Sequence, residues 1–119
     1  MITTKAESTP HVSPYGEVVY ELLSCKVSQT QNYSLAHIEI LPGQASPLHY
    51  HPKIEESYYI LAGRGEMILD GKSTKVGPGD CIGISPTVKH KIINLGDEAL
   101  KLLVVCAPGW TPDCSVFLE

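Results

Sequence analysis

Two histidines one residue apart, His49 and His51, stand just ahead of Glu56 in the stretch PLHYHPKIEESYYILAGRGE, in a chain with only five histidines. Imidazole nitrogen and carboxylate oxygen are donors that suit a divalent transition ion such as Zn²⁺, Mn²⁺, Fe²⁺, Ni²⁺ or Co²⁺. Side chains two apart on a strand point the same way, so an extended backbone puts both imidazoles on one face. If Glu56 begins the next strand after a turn, its carboxylate can join them from a neighbouring strand. A lone histidine pair is weak evidence, since such pairs are common on surfaces. Downstream, in GDCIGISPTVKHKIIN, His90 shares a face with Ile92 and Asn94 while Lys89 and Lys91 face the other way. An inward histidine among outward lysines needs a polar partner, and the other three side chains supply one.

Bringing these four together is work for strands. No window keeps a helical apolar period. Instead, short runs rich in Val, Ile, Leu and Tyr recur at residues 18–23, 33–41, 57–62, 66–69, 73–76, 80–84, 89–94 and 100–106. Turn chemistry separates them. Asp70-Gly71 is a pair favoured in type I′ hairpins, where both positions need positive φ. Gly63-Arg64-Gly65 and Gly77-Pro78-Gly79 mark two further tight connections. Such regular punctuation predicts an all-β sandwich or barrel with little helix. Residues 1–14, with Pro10 and Pro14, read as an N-terminal arm, flexible or laid against a neighbour, and residues 15–119 as one domain. The apolar cluster Val116-Phe117-Leu118 near the end is expected to pack.

A length of 119 residues suits one core and is too short for two. The formal charge of -4, with lysines and arginines scattered singly, argues against a nucleic-acid partner. No apolar run approaches the ~20 residues of a membrane span, and the polar opening MITTKAESTPHVSP lacks the order of a secretory signal. The expectation is a cytoplasmic protein with a small-molecule partner. Cys25, Cys81, Cys106 and Cys114 lie far apart with no C-x-x-C pair, so they read as small buried hydrophobes in a reducing compartment. A place near a cleft for Cys106 or Cys114 is the alternative.

At these residues the chain resembles the cupins. Their first motif is matched at every position by Gly43, five residues, His49-Tyr50-His51, four residues, Glu56, six residues and Gly63. Their second is matched by Gly79, five residues, Ser85-Pro86-Thr87, two residues, His90, three residues and Asn94. There Ser85 replaces a proline and Thr87 a glycine, which puts the shape of that loop in question more than His90. The resemblance implies a double-stranded β-helix, or jelly-roll barrel, of roughly six to eight strands. It also implies one divalent metal held inside by His49, His51, Glu56 and His90. Only Glu56, not Glu55, leaves the motif's spacing to Gly63, so Glu55 is expected at the surface.

Four protein ligands leave open coordination positions for substrate or water. Tyr58, on the same face as Glu56, could give a phenol to a ligand as a catalytic donor or could simply pack. Gln44, Lys89 and Trp110 are weaker candidates to border the ligand; Met67 reads as core and Arg64 as exposed. The expected function is a metalloenzyme of isomerase, lyase or dioxygenase type acting on a small, oxygen-rich metabolite, rather than on an apolar flavonoid or lipid. The alternative is a non-catalytic module for sensing or storage. Strands apolar on both faces, such as residues 100–105, suggest a homodimer.

Overall fold

A computed structural model describes residues 1–119. In chain order the strands are β1 His11–Val12, β2 Glu17–Leu23, β3 Ser34–Ile40, β4 His49–Tyr50, β5 Glu55–Ala62, β6 Gly65–Leu69, β7 Lys72–Val76, β8 Cys81–Ile84, β9 His90–Asn94, β10 Leu100–Ala107 and β11 Val116–Phe117. The only helical pieces are a 3-10 turn at Lys5–Glu7 and the single-turn α1 at Cys25–Ser28, capped by the Ser24 hydroxyl accepting from the Val27 N–H. Two antiparallel sheets face each other, ordered β1-β2-β3-β10-β5-β8 and β11-β4-β9-β6-β7. This is the expected all-β jelly roll.

All eight runs read from the sequence are strands, displaced by a residue or two at their ends. The β6–β7 hairpin turns through Asp70 and Gly71 with φ of 46° and 82°, as a type I′ turn requires. Gly63 is held more tightly. Its φ is +87°, and a Cβ there would lie 2.8 Å from the Ala99 carbonyl oxygen, so no larger residue fits between β5 and β6.

Alternation decides what each strand delivers. Along β10, Leu100, Leu102, Val104 and Cys106 are buried while Lys101, Leu103 and Val105 face outward. Leu102 lies opposite Ile38 of β3 and Ile60 of β5, whereas Val104 and Cys106 lie opposite Tyr58 and Glu56. The interior therefore changes character along one strand. Its Leu100 end is an apolar plug with Ile40, Ile60, Met67, Ile92 and Leu102, all at most 1% exposed. Each such side chain contributes ~1.5–3 kcal/mol of burial. Its Cys106 end is polar and holds the histidines.

Asn94, which shares the buried face of β9 with His90, works at the plug end. Its Nδ2 donates to the carbonyls of Ile40 and Glu98, both at 2.8 Å, and its Oδ1 accepts from the Gly96 N–H. That side chain ties the two sheets together and fixes the turn after β9. The segment read as an arm carries β1, which pairs with β2 of its own sheet, His11 opposite Val19. Val116-Phe117-Leu118 departs from expectation: β11 pairs with β4, but all three side chains are exposed. Backbone pairing places the tail, and its apolar groups stay largely exposed, with the Phe117 ring 5.8 Å from that of His49.

Candidate metal centre

His49 and His90 are cross-strand partners of β4 and β9 in one sheet, and Glu56 enters from β5 of the facing sheet. This corrects the expectation that the carboxylate comes from a neighbouring strand, since the site bridges the two layers. β4 is also shorter than the histidine pair, ending at Tyr50, so His51 sits just beyond it. His49, His51, Glu56 and His90 are all buried, and their ligand atoms lie within 4.8 Å of one another. Glu55 is exposed.

Each imidazole has one ring nitrogen committed. The Nδ1 atoms of His49 and His90 donate to the carbonyls of Pro47 at 2.8 Å and Val88 at 2.9 Å, both two residues back. The His51 Nδ1 faces the Cys114 carbonyl at 3.3 Å and the Ser115 hydroxyl at 3.2 Å. With Nδ1 protonated, the Nε2 lone pairs point inward, the tautomer that metal-binding histidines adopt. Thr87 supports the same loop: its N–H donates to the His51 carbonyl at 2.8 Å.

The inward atoms are left over. His51 Nε2, His90 Nε2 and Glu56 Oε1 are buried and make no properly oriented hydrogen bond, although the two nitrogens lie 3.4 and 2.9 Å from that oxygen. Buried polar atoms are nearly always satisfied, so three orphans aimed at one point fit a cation there. Burial alone would raise the Glu56 carboxyl, but His51 and His90 reverse this and hold it well below the usual range. Burial pushes His49 down to about 4, helped by His90. Burial would lower His51 too, but Cys114 and Glu56 raise it to about 10, so its imidazole holds a proton against the ionised Glu56 that a cation would have to displace.

A cavity of about 470 Å³ opens above these groups. His49, His51, Glu56 and Tyr58 reach it from the floor, Glu17, Val19, Ile38 and Val104 form a wall, and Trp110, Phe117 and Glu119 stand in the tail. Tyr58 is buried with its ring edge-on to His90, 6.1 Å between centroids, and its hydroxyl makes no hydrogen bond within the chain. The tail is clamped by Lys91, whose Nζ is 2.8 Å from Glu119 Oε1. Trp110 borders the cavity as expected; Gln44 and Lys89 do not. Met67 is core and Arg64 exposed.

The cysteines divide differently from the expectation. Cys25 and Cys81 are exposed, Cys106 is buried and Cys114 half-buried, and none is in a disulfide. Cys106 Sγ donates to Glu56 Oε2 at 3.2 Å, while Cys114 Sγ lies 3.7 Å from His51 Nδ1. Alternation along β10 could have placed Cys106 inside, but nothing local marks its partner. Glu17, which the first strand read from the sequence stopped short of, carried no signal at all.

Residues 36–106 match the family model described as Cupin domain. An uncharacterized protein of Methanocaldococcus jannaschii is 37% identical over 125 aligned positions, covering all of both chains. An oxalate-binding protein of Thermotoga maritima is 33% identical over 76% of this chain and 75% of its own length. Among solved structures, a predicted oxalate decarboxylase from Thermotoga maritima superimposes with a TM-score of 0.81 at 27% identity, covering 91% of this chain and 99% of that one.

Proposed function

The chain belongs to the cupin family, and from that premise we propose that it is a metal-dependent enzyme acting on a small oxygen-bearing molecule. One observation carries the reading: three buried, orphaned donor atoms converge beneath a cavity of ligand size. His49, His51 and His90 through Nε2 and Glu56 through one carboxylate oxygen would hold a single divalent ion. When bound, such an ion polarises an oxygen of the substrate.

The chain's own chemistry lies at Tyr58. Burial, then the charge of Glu56, keeps its hydroxyl well above the ordinary tyrosine value, so it stays protonated at neutral pH. A partnerless, protonated phenol facing the cavity is a hydrogen-bond or proton donor to the substrate. Val19, Ile38 and Val104 give the cavity around it an apolar side. No helix is long and apolar enough to cross a membrane, and four free thiols suit a reducing compartment such as the cytoplasm.

A second reading, a binding module without turnover, draws support from the relative named an oxalate-binding protein. Elemental analysis of wild type, His51→Ala and Glu56→Gln tests the centre; undiminished metal in both variants rejects it. Metal-loaded protein is then incubated with pools of hydroxy ketones, phenols, sugar acids and keto acids, in air and without oxygen, and products are followed by mass spectrometry. Turnover that Tyr58→Phe abolishes while metal is retained supports the enzyme. Tight binding without conversion under either atmosphere supports the module.

A further inference from the structure

None of the residues lining the cavity is a lysine or an arginine, while Glu17, Glu21, Glu56 and Glu119 all border it. Lys91, which is not on the lining, is committed to both carboxylate oxygens of the lining residue Glu119, at 2.8 and 2.9 Å. The only other basic side chain besides the ligand histidines is the exposed His11 at the mouth. Three neutral imidazoles and the Glu56 carboxylate leave a divalent ion with one net positive charge. A singly charged or neutral ligand can meet that balance. A dianion overshoots it, leaving negative charge enclosed beside carboxylates with no counter-ion, which is costly in a partly apolar site.

Glu17 adds a further carboxylate to the cavity wall. Its backbone is pinned at the head of β2, its carbonyl accepting from the Ser13 N–H at 2.8 Å and its N–H donating to the Ser13 hydroxyl at 3.2 Å. Its side chain makes no hydrogen bond within the chain and, with Val19 next on that face, borders the cavity. We infer that the cavity selects an uncharged or singly charged, partly apolar ligand that presents a hydroxyl to Glu17, and that it rejects dianions such as oxalate and phosphate monoesters. This rests on the functional reading above and narrows its substrate class. Burial, then the charge of Glu56, raises the Glu17 carboxyl to about 7, so near neutrality it can donate to a carbonyl as well as accept from a hydroxyl.

The test is calorimetric titration of the zinc-loaded protein with catechol, a phenol that is neutral in water and chelates as a singly charged catecholate on giving up one proton, and with oxalate, for wild type, Glu17→Lys and Glu17→Gln. Wild type is expected to bind catechol at least tenfold more tightly than oxalate. Glu17→Lys is expected to gain at least tenfold in oxalate affinity. The isosteric Glu17→Gln, which preserves packing if the lysine variant fails to fold, is expected to gain severalfold and to lose catechol affinity. Oxalate bound by wild type as tightly as catechol, or unchanged oxalate affinity in the folded variants, overturns the inference. Zinc content of the same samples separates the two levels: protein that takes up no zinc defeats the functional reading and this inference with it, whereas full zinc with preferred oxalate defeats only the charge rule.

Discussion

Cys106 lies directly across the sheet from Glu56, and its thiol donates to Oε2 at 3.2 Å, leaving Oε1 as the oxygen that faces His51 and His90. Burial, then the charge of Glu56, pushes this thiol far up, so it remains a donor at every working pH. The thiol thereby decides which carboxylate oxygen is free for a cation. Groups that orient metal ligands typically account for 10–100-fold in affinity.

Replacing Cys106 with the slightly larger valine removes the donor at the cost of a modest increase in bulk. Metal affinity, measured by competition with a chelator, should fall by about tenfold. Cys106→Ser, which restores a donor, should recover most of it. Equal affinity in the valine variant would reduce Cys106 to packing.

Thr87 has φ of 74°, where a β-branched residue is strained and glycine is not. It stands where the cupin motif has glycine, and the loop keeps its course because the Thr87 N–H is bonded to the His51 carbonyl. Thr87→Gly should therefore stabilise the fold by about 1 kcal/mol, the left-handed penalty being partly offset by glycine's unfolded-state freedom. Urea denaturation with unchanged m-value measures it. A lower midpoint would mean the threonine side chain makes a compensating contribution.

Much of the site was legible because motif spacing and strand alternation are local. Two-residue steps put His49 with His51, Glu56 with Tyr58, and His90 with Ile92 and Asn94, and Asp70-Gly71 announced its hairpin. What was not legible depends on which strands become neighbours. The Cys106–Glu56 contact exists because β10 pairs with β5 across a long stretch of chain, and no residue near either one encodes that pairing. Glu17 borders the cavity because β2 lies in the sheet opposite β4 and β9. The strands β1, β4 and β11 are two residues each, too short to show a period. The exposure of Cys25 and Cys81 likewise follows from position, since a thiol is apolar enough for a core and small enough for a turn or an edge.

Glu17 should also set part of the pH dependence of stability. Its carboxyl is raised from 4.5 to about 7 by burial and then by Glu56, with Tyr58, His49, His51 and Glu21 on the same cavity. The folded state then binds more protons than the unfolded one between these values, so stability falls as pH rises through about 4.5 to 7. Glu17→Gln removes this loss. Metal-free Glu17→Gln should match wild type near pH 4.5 and exceed it above pH 7 by up to about 3 kcal/mol, at 1.36 kcal/mol per pKa unit. Comparing the two proteins cancels the histidine titrations they share. A difference that does not change with pH would refute the raised carboxyl.

The outer face of the larger sheet bears on assembly. Val105 lies opposite Leu35, and Leu103 opposite Tyr59, so these four side chains form a continuous band across β3, β10 and β5. Val105 and Tyr59 are 39% and 46% exposed, and Leu61 beside them is 42% exposed. Contiguous apolar surface of this sort on a sheet is usually covered by a partner, and a second copy of the chain offers the same band in a two-fold arrangement. We expect a homodimer paired through this face, with the cavities opening between the sheets and away from it. Sedimentation equilibrium at micromolar concentration should return twice the chain mass for wild type and the single mass for Leu103→Glu, which places a charge at the centre of the band without touching the interior. A monomeric wild type would reject the pairing, and a Leu103→Glu protein that stays dimeric would move the interface to another face.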